Sequence, residues 1–282
     1  MKTRWLAAAA TIAVIVVFFG CDRKPAPDAG VSETSAPEAV NTAPPYSGPE
    51  SPPPAERIIH GGGEFGRFTV TNSENALSAA YERGARYIEL DFVLTKDGEP
   101  VCLHDWNRNY LPGHSDDDFP LDLEEFESSL IFGELTPLSL KSLAGLLREY
   151  EGLYIITDCK EDNLRILEKI ASAYPELISR FIPQIYFPQE LEAVRAMGFK
   201  SVILTLYRLD WDMKTDTDFI SEFSAAAGLW GVTFPVELTE REGYVEALLA
   251  SGVSLYTHTV NVESEISALL KVGVTGVYTD LY

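Results

Sequence analysis

Residues 87–105 read YIELDFVLTKDGEPVCLHD and predict two strands joined by a tight turn at residues 96–99. In the first half of the stretch, apolar residues alternate with Glu89, Asp91 and Val93, and this period of two is typical of a β-strand. The Asp-Gly pair in the middle is a strong signal for a tight turn between antiparallel strands. We therefore expect the chain to fold back on itself here.

The predicted turn brings acidic side chains close to a histidine. With Thr95 opposite Pro100, Asp91 faces His104, and the side chains of facing residues lie on the same side of the sheet. Glu89 precedes Asp91 by two positions and shares that side. Burying a carboxylate inside a sheet reduces the stability of the fold unless the carboxylate is paired or binds a cation. The arrangement therefore indicates a site, although a sheet with one face in water would expose the same residues without any role.

The beginning of the chain predicts an export signal over residues 1–20. Basic residues precede an apolar run that is shorter than the roughly 20 residues of a membrane span. The sequence FFGC that ends at Cys21 resembles the cleavage box of bacterial lipoproteins, which makes Cys21 the expected site of the lipid. Asp22 resembles a signal for retention in the inner membrane. An uncleaved anchor is the alternative.

The remainder divides into a tether and one folded domain. Residues 21–56 are rich in Pro, Ala, Ser and Glu, a composition that predicts an extended, disordered tether. Residues 57–282 are long enough for one large α/β domain. We therefore expect an exported lipoprotein that is anchored to the membrane and faces the extracytoplasmic side, either in the periplasm or at the cell surface.

Within residues 57–282, short β-rich runs alternate with helical patterns, which predicts a parallel sheet. Strands are expected at residues 57–60, 87–93, 154–158, 181–186, 201–207, 231–235, 254–260 and 276–279, and helices at 73–83, 139–150, 162–173, 189–197, 218–227, 239–250 and 263–272. Eight strands in a domain of this size match a (β/α)8 TIM barrel, here with residues 101–104 added as an antiparallel β-hairpin extension on the second strand. A doubly wound open sheet is the alternative, but no Gly-rich nucleotide fingerprint opens a helix.

The charge of the chain limits its partners. The sequence has 43 acidic residues against 22 Lys and Arg residues, which argues against a nucleic-acid partner because phosphate backbones require a basic surface. The same charge disfavours electrostatic adhesion to anionic lipids, so the lipid on Cys21 would have to hold the protein at the membrane. A small-molecule partner and a monomer are expected. Cys102 and Cys159 could pair after export or stay as buried free thiols.

Polar side chains stand at the ends of several predicted strands, where barrel enzymes place their catalytic groups. His60 ends the first strand before a run of three glycines, and Asp158 and Lys160 stand at the end of the third strand on one face. His258 belongs to the seventh strand and is a candidate for substrate binding. His114 lies in an acidic loop and is expected at the surface.

Together these residues suggest a particular chemistry. Glu89, Asp91 and Asp158 offer carboxylate ligands to a hard cation, either Ca²⁺ or Mg²⁺. The cation and Lys160 would neutralise a phosphate group and the charge that it gains during transfer. A pair of histidines could move protons to and from the reacting oxygens. The residues therefore predict metal-assisted cleavage of a phosphodiester.

The motifs that carry a family resemblance are IIHGG at residues 58–62, SENA at 73–76, IELD at 88–91, LTKDG at 94–98, LHD at 103–105, DCK at 158–160, TVN at 259–261 and GVYTD at 276–280. Through them, residues 57–282 resemble the glycerophosphodiester phosphodiesterase family, within the superfamily that also holds phosphatidylinositol-specific phospholipase C. The resemblance implies a (β/α)8 barrel and the following roles: His60 and His104 as the acid–base pair, Glu89, Asp91 and Asp158 as metal ligands, Lys160 as a phosphate-binding residue and Glu74 near the site.

The sequence departs from the family pattern at three places. Gly61 stands where the family has an Arg that would bind the phosphate, Asp158 stands in place of the usual Glu, and His258 replaces a Trp at the pocket mouth. These changes indicate a divergent branch. The expected substrate is a glycerophosphodiester or a related lipid headgroup, hydrolysed directly or through a cyclic phosphate. The alternatives are a phospholipase-C-like enzyme, a cell-wall phosphodiesterase and a non-catalytic lipoprotein that binds phosphoesters.

Aromatic residues also recur near the strand ends, at Trp106, Tyr186, Tyr207 and Trp230. They are explained either by ordinary packing of the barrel or by a pocket wall for a headgroup. Gln184 shares a face with Tyr186 and could line the same pocket.

Overall fold

In this computed structural model, which describes residues 51–282, eight parallel strands close into a barrel. The strands of the sheet are β1 (Arg57–Ile59), β2 (Tyr87–Leu94), β3 (Pro100–Cys102), β4 (Leu138–Ser139), β5 (Tyr154–Asp158), β6 (Phe181–Ile185), β7 (Ile203–Thr205), β8 (Gly231–Pro235), β9 (Ser254–His258) and β10 (Gly276–Thr279). All except β3 and β4 belong to the barrel, and β1 closes it by pairing with both β10 and β2. The predicted (β/α)8 barrel is confirmed.

Helices surround the barrel. They are α1 (Glu74–Glu82), α2 (Leu123–Ser128), α3 (Leu140–Glu149), α4 (Asn163–Ala173), α5 (Leu191–Ala196), α6 (Trp211–Thr215), α7 (Thr217–Ala227), α8 (Tyr244–Leu249) and α9 (Glu263–Lys271). The helix predicted over residues 239–250 is wrong in its first half. Gly243 directly precedes α8 with φ 75°, a left-handed conformation that interrupts any helix reaching it from the N-terminal side.

The extension on β2 is confirmed, but its predicted register is wrong. Leu94 pairs with Pro100 and Phe92 with Cys102, so the connecting loop is one residue longer than expected. The backbone N–H of Thr95 donates to the carbonyl of Glu99 at 2.9 Å, which makes Thr95 part of the loop rather than of the strand. A shift of one residue reverses the face of every side chain on the second strand. Asp91 therefore does not face His104 in this ladder.

The N-terminal end of the barrel interior is packed with apolar side chains. The buried cluster there consists of Ala55, Ile58, Tyr154, Ile156, Ile182, Ile203, Trp230, Tyr256 and Tyr278. The Trp230 indole N–H donates to the carbonyl of Pro52 at 2.8 Å, and the Tyr87 hydroxyl donates to that of Pro53 at 2.7 Å. Residues 51–56, at the end of the predicted tether, therefore pack against the barrel. Because this end is filled, the interior is free for polar groups only at the opposite end.

The predicted signal, the lipid on Cys21 and the tether up to residue 50 lie outside the described residues. In the part that the structure describes, no helix combines the length and the apolar character needed to cross a membrane. The sequence left open whether Cys102 and Cys159 form a disulfide or stay as free thiols. In the structure both are buried free thiols.

Candidate active site

Three carboxylates meet at the C-terminal end of the barrel. Glu89 and Asp91 lie on β2, Asp158 ends β5, and Asp91 is the direct partner of Asp158 in the parallel pairing of these strands. The side chains of Glu89 and Asp91 are buried, and one oxygen from each of the three residues lies within 4.8 Å of the other two. We call these three residues the acid cluster. The structure brings the predicted metal ligands together, and their role as ligands stays a prediction.

The two acids of β2 are fixed by the segment between β1 and α1. The backbone N–H of Gly61 donates to Oε2 of Glu89 at 2.8 Å. The side-chain amide of Asn72 donates to Oδ2 of Asp91 at 2.8 Å and accepts from the backbone N–H of Asp91 at 2.9 Å. Oε1 of Glu89 is buried without a hydrogen-bond partner among residues 51–282. A buried carboxylate oxygen without a partner destabilises the fold, and a bound cation would supply that partner. This atom is therefore well suited to bind a cation.

The electrostatics of the acid cluster also suit a cation. Burial, and then the charge of Asp91, raise the pKa of Glu89 well above its usual value. Burial and Asp91 also raise the pKa of Asp158, although the Tyr186 hydroxyl donates a hydrogen bond to Oδ1 of Asp158 and acts in the opposite direction. Like charges at such short range disfavour one another's ionisation. Hard cations such as Ca²⁺ and Mg²⁺ prefer carboxylate oxygens, and these residues fit one such ion.

His60 follows β1, and its ring is oriented by Asp280, which follows the neighbouring strand β10. Its Nδ1 lies 2.7 Å from Oδ1 of Asp280, just after β10. Burial of the ring disfavours the imidazolium, but the hydrogen bond to Asp280 and the charges of Glu89 and Asp91 outweigh it and raise the pKa of His60 to about 9. Because Nδ1 is occupied by Asp280, Nε2 is the atom available for proton transfer.

His104 follows β3 and has a similar carboxylate partner. Its Nδ1 donates to Oδ2 of Asp105, while its Nε2 accepts from the ammonium of Lys160. Lys160 follows β5, and its Nζ lies 3.4 Å from Oδ1 of Asp91. His104 therefore reaches the acid cluster through Lys160, and not through the strand register that the sequence suggested.

His258 ends β9, which is separated from β1 only by β10, and its ring centroid lies 6.2 Å from that of His60. Burial, and then the positive charges of His60 and Lys160, lower its pKa to about 3, so its ring is neutral. The Tyr207 hydroxyl donates to the carbonyl of His258 at 3.0 Å, and their rings are in edge contact. His258 therefore forms a neutral wall of the site.

Glu74 lies elsewhere in the structure. It stands at the start of α1 and lines a separate surface pocket of about 210 Å³ with Phe65, Asn75 and Glu82. The side chain of Glu74 does not contact the acid cluster. Its place near the substrate stays a prediction.

Gly61 has no room for any side chain. Its φ is 54°, and a Cβ atom placed on it would lie 2.4 Å from Cγ1 and 2.8 Å from Cα of Val70. The conformation of this turn therefore requires glycine, and the same turn delivers the N–H group that holds Glu89.

A groove of about 510 Å³ is lined by His104, Lys160 and Arg208 and also by the acidic residues Asp105, Glu161 and Asp162. It is connected to the acid cluster through Lys160, whose Nζ lies 3.4 Å from Oδ1 of Asp91. Arg208 follows β7. Its guanidinium lies 4.0 Å from the centroid of the Tyr186 ring and donates to the carbonyl of Lys160. A larger cavity of about 680 Å³ runs along β1 and α9, but none of the predicted site residues lines it.

The structure adds residues that the sequence did not assign. Asp280 belongs to a recognised motif but had no predicted role. Arg208 comes directly after a predicted strand, so the strand-end rule that singled out His60 could also have found it. Asn72 carries no local signal, because its contact with Asp91 depends on the path of the loop after β1.

Comparisons with known proteins agree with this geometry. The family model described as "Glycerophosphoryl diester phosphodiesterase family" matches residues 62–281. A search of the curated proteins found no match.

Solved structures share the fold. A glycerophosphodiester phosphodiesterase from Parabacteroides distasonis is 19% identical, with a TM-score of 0.60 over 80% of this chain and 92% of that chain. A phosphodiesterase from Oleispira antarctica in complex with the product sn-glycerol-3-phosphate is 17% identical, with a TM-score of 0.62 over 80% and 93%. A glycerophosphodiester phosphodiesterase from Thermotoga maritima is 20% identical, with a TM-score of 0.58 over 80% and 94%.

The family match spans most of the chain and includes every barrel strand after β1 and the whole acid cluster. The resemblance inferred from the motifs is confirmed: the chain belongs to the glycerophosphoryl diester phosphodiesterase family and is a phosphoric diester hydrolase.

Proposed function

We propose that the protein hydrolyses glycerophosphodiesters, or related phosphodiesters of lipid headgroups, in a reaction that depends on one divalent cation. The observation that carries the proposal is the position of the acid cluster next to His60 and Lys160, with His104 held by Lys160. The Oleispira antarctica relative has sn-glycerol-3-phosphate as its product, which supports a glycerol phosphate group in the substrate.

The acid cluster would hold the cation, either Ca²⁺ or Mg²⁺. Glu89 offers its unpartnered Oε1, while Gly61 and Asn72 keep Glu89 and Asp91 in place. When bound, the cation supplies positive charge to the phosphate oxygens as negative charge develops on them. Lys160 adds a second positive charge from the side of Asp91. A phosphate that accepts a hydrogen bond from Lys160 would also release Nε2 of His104 from that contact.

His60 and His104 would move the protons. One histidine accepts the proton of the attacking hydroxyl as its oxygen bonds to phosphorus, and the other donates a proton to the oxygen that leaves. Each ring has a carboxylate at Nδ1, Asp280 for His60 and Asp105 for His104, which leaves Nε2 for the transfer. Where the substrate has a neighbouring hydroxyl, that hydroxyl would attack first and give a cyclic phosphate.

Hydrolysis of bis(para-nitrophenyl) phosphate by the purified full-length protein tests the proposal. The protein would be stripped of metal and then supplied with Ca²⁺ or Mg²⁺, and glycerol and inositol phosphodiesters would follow. We expect turnover of both kinds of diester only with the cation, and loss of turnover of the glycerol phosphodiester in His104→Ala, because an alkoxide leaving group requires a proton. His114→Ala is the matched control, because His114 bonds to Ser129 at 2.9 Å outside the site. Activity that persists without any cation, or turnover of the glycerol phosphodiester that persists in His104→Ala, would contradict the proposal.

We also propose that the protein is a monomeric lipoprotein held on the extracytoplasmic side of the membrane by a lipid on Cys21. The support for the anchor is the sequence of residues 1–56 alone. Growth with radiolabelled palmitate should label the wild-type protein, and Cys21→Ser should abolish the label and release the protein from the membrane fraction. Label that persists in Cys21→Ser would rule out this attachment site. A larger apparent mass in gel filtration would rule out the monomer.

A further inference from the structure

Arg208 is an exposed arginine that lines the groove and forms no ion pair within residues 51–282, although its charge partly offsets the rise in the pKa of Asp158. Among residues 51–282, no carboxylate lies within ion-pairing distance of its guanidinium, whereas Arg57, Arg67 and Arg148 are each paired with a glutamate. The chain has a formal net charge of −21, so carboxylates are abundant on its surface. An arginine without such a partner beside a catalytic centre is therefore free to bind an anionic ligand.

The structure holds Arg208 in a defined position without neutralising it. The guanidinium stacks on the ring of Tyr186 at 4.0 Å and donates to the backbone carbonyl of Lys160. Tyr186 in turn donates its hydroxyl to Asp158. Stacking on an aromatic ring leaves the edge of the guanidinium available for further hydrogen bonds. Arg208 is therefore connected to the acid cluster through Tyr186, and it keeps N–H groups that can donate hydrogen bonds to a ligand.

The charge of the site calls for another cation. The charges of a divalent ion and Lys160 together equal those of the three carboxylates of the acid cluster, and the charge of His60 is balanced by Asp280. These groups therefore leave no excess of positive charge for the substrate. A phosphodiester brings one negative charge and gains more as the nucleophile adds. Position 61 cannot supply a cation, because the left-handed turn and the contact with Val70 exclude a side chain there. Arg208 and Lys160 line the same groove, and both carry a positive charge.

We propose that Arg208 binds the phosphate group of the substrate and forms, with Lys160, a two-cation clamp on its non-bridging oxygens. The ligand of the clamp is a phosphate ester or diester anion. An arginine suits this role because its planar fork can donate two parallel hydrogen bonds to one phosphate. The inference rests on the proposed function for its substrate class, but the clamp can be tested by binding alone.

The competing explanation is that Arg208 acts only through Tyr186, by keeping the tyrosine hydroxyl on Asp158. In that case the loss of Arg208 would change the affinity for the cation, as Tyr186→Phe should. In the clamp, Arg208 contacts the phosphate directly, and its loss changes the affinity for phosphate while the affinity for the cation stays within about twofold.

The experiment measures two affinities and one rate in the full-length protein. Isothermal titration gives the affinity for Ca²⁺ or Mg²⁺, and then for inorganic phosphate in the metal-loaded protein. Turnover of bis(para-nitrophenyl) phosphate gives kcat/KM. We expect Arg208→Gln to weaken phosphate binding and lower kcat/KM by about 10- to 100-fold, the effect of one charge-assisted hydrogen bond. Arg208→Lys should recover part of both losses. Arg148→Gln removes the same charge on α3, outside the groove, and should change neither the phosphate affinity nor kcat/KM.

Three results would overturn the clamp. The first is unchanged phosphate affinity in Arg208→Gln, and the second is an equal loss in Arg148→Gln, which would indicate only a net-charge effect. The third is a change in cation affinity as large as that of Tyr186→Phe. The two proposals fail separately. Wild-type protein that binds phosphate through Arg208 but cleaves no diester refutes the hydrolase proposal alone, and normal cleavage by Arg208→Gln refutes the clamp alone.

Discussion

Nδ1 of His60 lies 2.7 Å from Oδ1 of Asp280. The carboxylate is itself fixed, because the side-chain amide of Asn261 donates to Oδ2 of Asp280 at 2.7 Å and accepts from the backbone N–H of Asp280 at 2.8 Å. Asn261 and Asp280 follow β9 and β10, and His60 follows β1. The strands that close the barrel therefore set the orientation of a proton-transfer group.

Asp280→Asn tests this arrangement. The substitution keeps the shape of the side chain but removes its negative charge, so the pKa of His60 should fall from its raised value of about 9. We expect kcat/KM to fall by at least about tenfold, and by no more than the ~10²–10⁴ that a positioned acid or base contributes. An NMR titration of His60 and the pH–rate profile are the measurements. Asp117→Asn, in an exposed loop, is the control, and a profile identical to that of wild type in Asp280→Asn would contradict the assignment.

The same pair makes stability depend on pH in the metal-free protein. Burial opposes the imidazolium of His60, but the hydrogen bond to Asp280 and the charge of Glu89 raise its pKa from 6.5 to about 9. A group whose pKa is higher in the folded state stabilises the fold fully below its unfolded pKa and loses that contribution as the pH rises through the folded pKa. The free energy of unfolding should therefore fall between pH 6.5 and about 9.

Urea unfolding across this range measures the effect, and Asp280→Asn is the comparison. Because the variant lacks the hydrogen bond and the charge of Asp280, which are part of what raises the pKa of His60, its free energy of unfolding should decrease less steeply over the same range. Equal slopes in the two proteins would show that the pair does not contribute.

Cation binding should stabilise the fold through the acid cluster. At a free cation concentration about 100 times Kd, binding adds about 2.7 kcal/mol, which corresponds to about 5–10 °C in Tm for a domain of this size. Burial raises the pKa of Glu89 and Asp158, so the cation competes with protons and its effect should grow as the pH rises. Thermal unfolding with and without Ca²⁺ or Mg²⁺ measures this effect. Glu89→Gln should abolish it and Glu82→Gln should not, and a cation shift that survives in Glu89→Gln would place the ion elsewhere.

The two histidines should respond differently to the leaving group. A para-nitrophenolate leaves without a proton, whereas an alkoxide from glycerol requires one. The alanine variant of the histidine that protonates the leaving oxygen should therefore lose much less activity on an aryl diester than on an alkyl diester. The variant of the other histidine should lose both activities alike. Steady-state kinetics of His60→Ala and His104→Ala on the two substrates decides the roles, and an equal loss in all four measurements would argue against separate acid and base functions.

The sequence predicted the barrel and its acids because both follow from local pattern. Asp158 ends an apolar strand and Glu89 and Asp91 stand inside one, so their positions follow from strand geometry and from the rule that barrel sites lie at strand ends. The register predicted for β2 and β3 differs from the observed one by one residue, because the tight-turn signal does not fix the length of the loop. His104 still reaches the site, since β3 ends at Cys102 and the His104 ring contacts Lys160, which lies against Asp91.

Other contacts of the site could not be read from the sequence. The hydrogen bonds between Asn72 and Asp91 depend on a loop in which Val70 and Asn72 both have positive φ. Non-glycine residues seldom adopt this conformation, and no local pattern marks them. The stacking of Arg208 on Tyr186 joins two loops of different strands, and such a contact is determined only when the barrel has closed.

Gly61→Ala tests why glycine stands in the turn after β1. A Cβ atom there would lie 2.4 Å from Cγ1 of Val70 in a residue with φ 54°, so we expect a loss of about 2–5 kcal/mol of stability from backbone strain and overpacking together. The turn also carries the N–H group that donates to Glu89, so the affinity for the cation should fall with it.

Matched variants separate strain from the steric clash. Gly66→Ala has a similar φ of 63° but no atom within 4 Å of the new Cβ, so it should cost only the backbone strain, about 1 kcal/mol. Val70→Gly removes the clashing side chain and suits the positive φ of 53° at that position, so it should restore part of the stability of Gly61→Ala. Equal losses for Gly61→Ala and Gly66→Ala in urea unfolding would mean that the contact with Val70 relaxes at little cost. Cation affinity that stays intact in Gly61→Ala would separate the turn from the acid cluster.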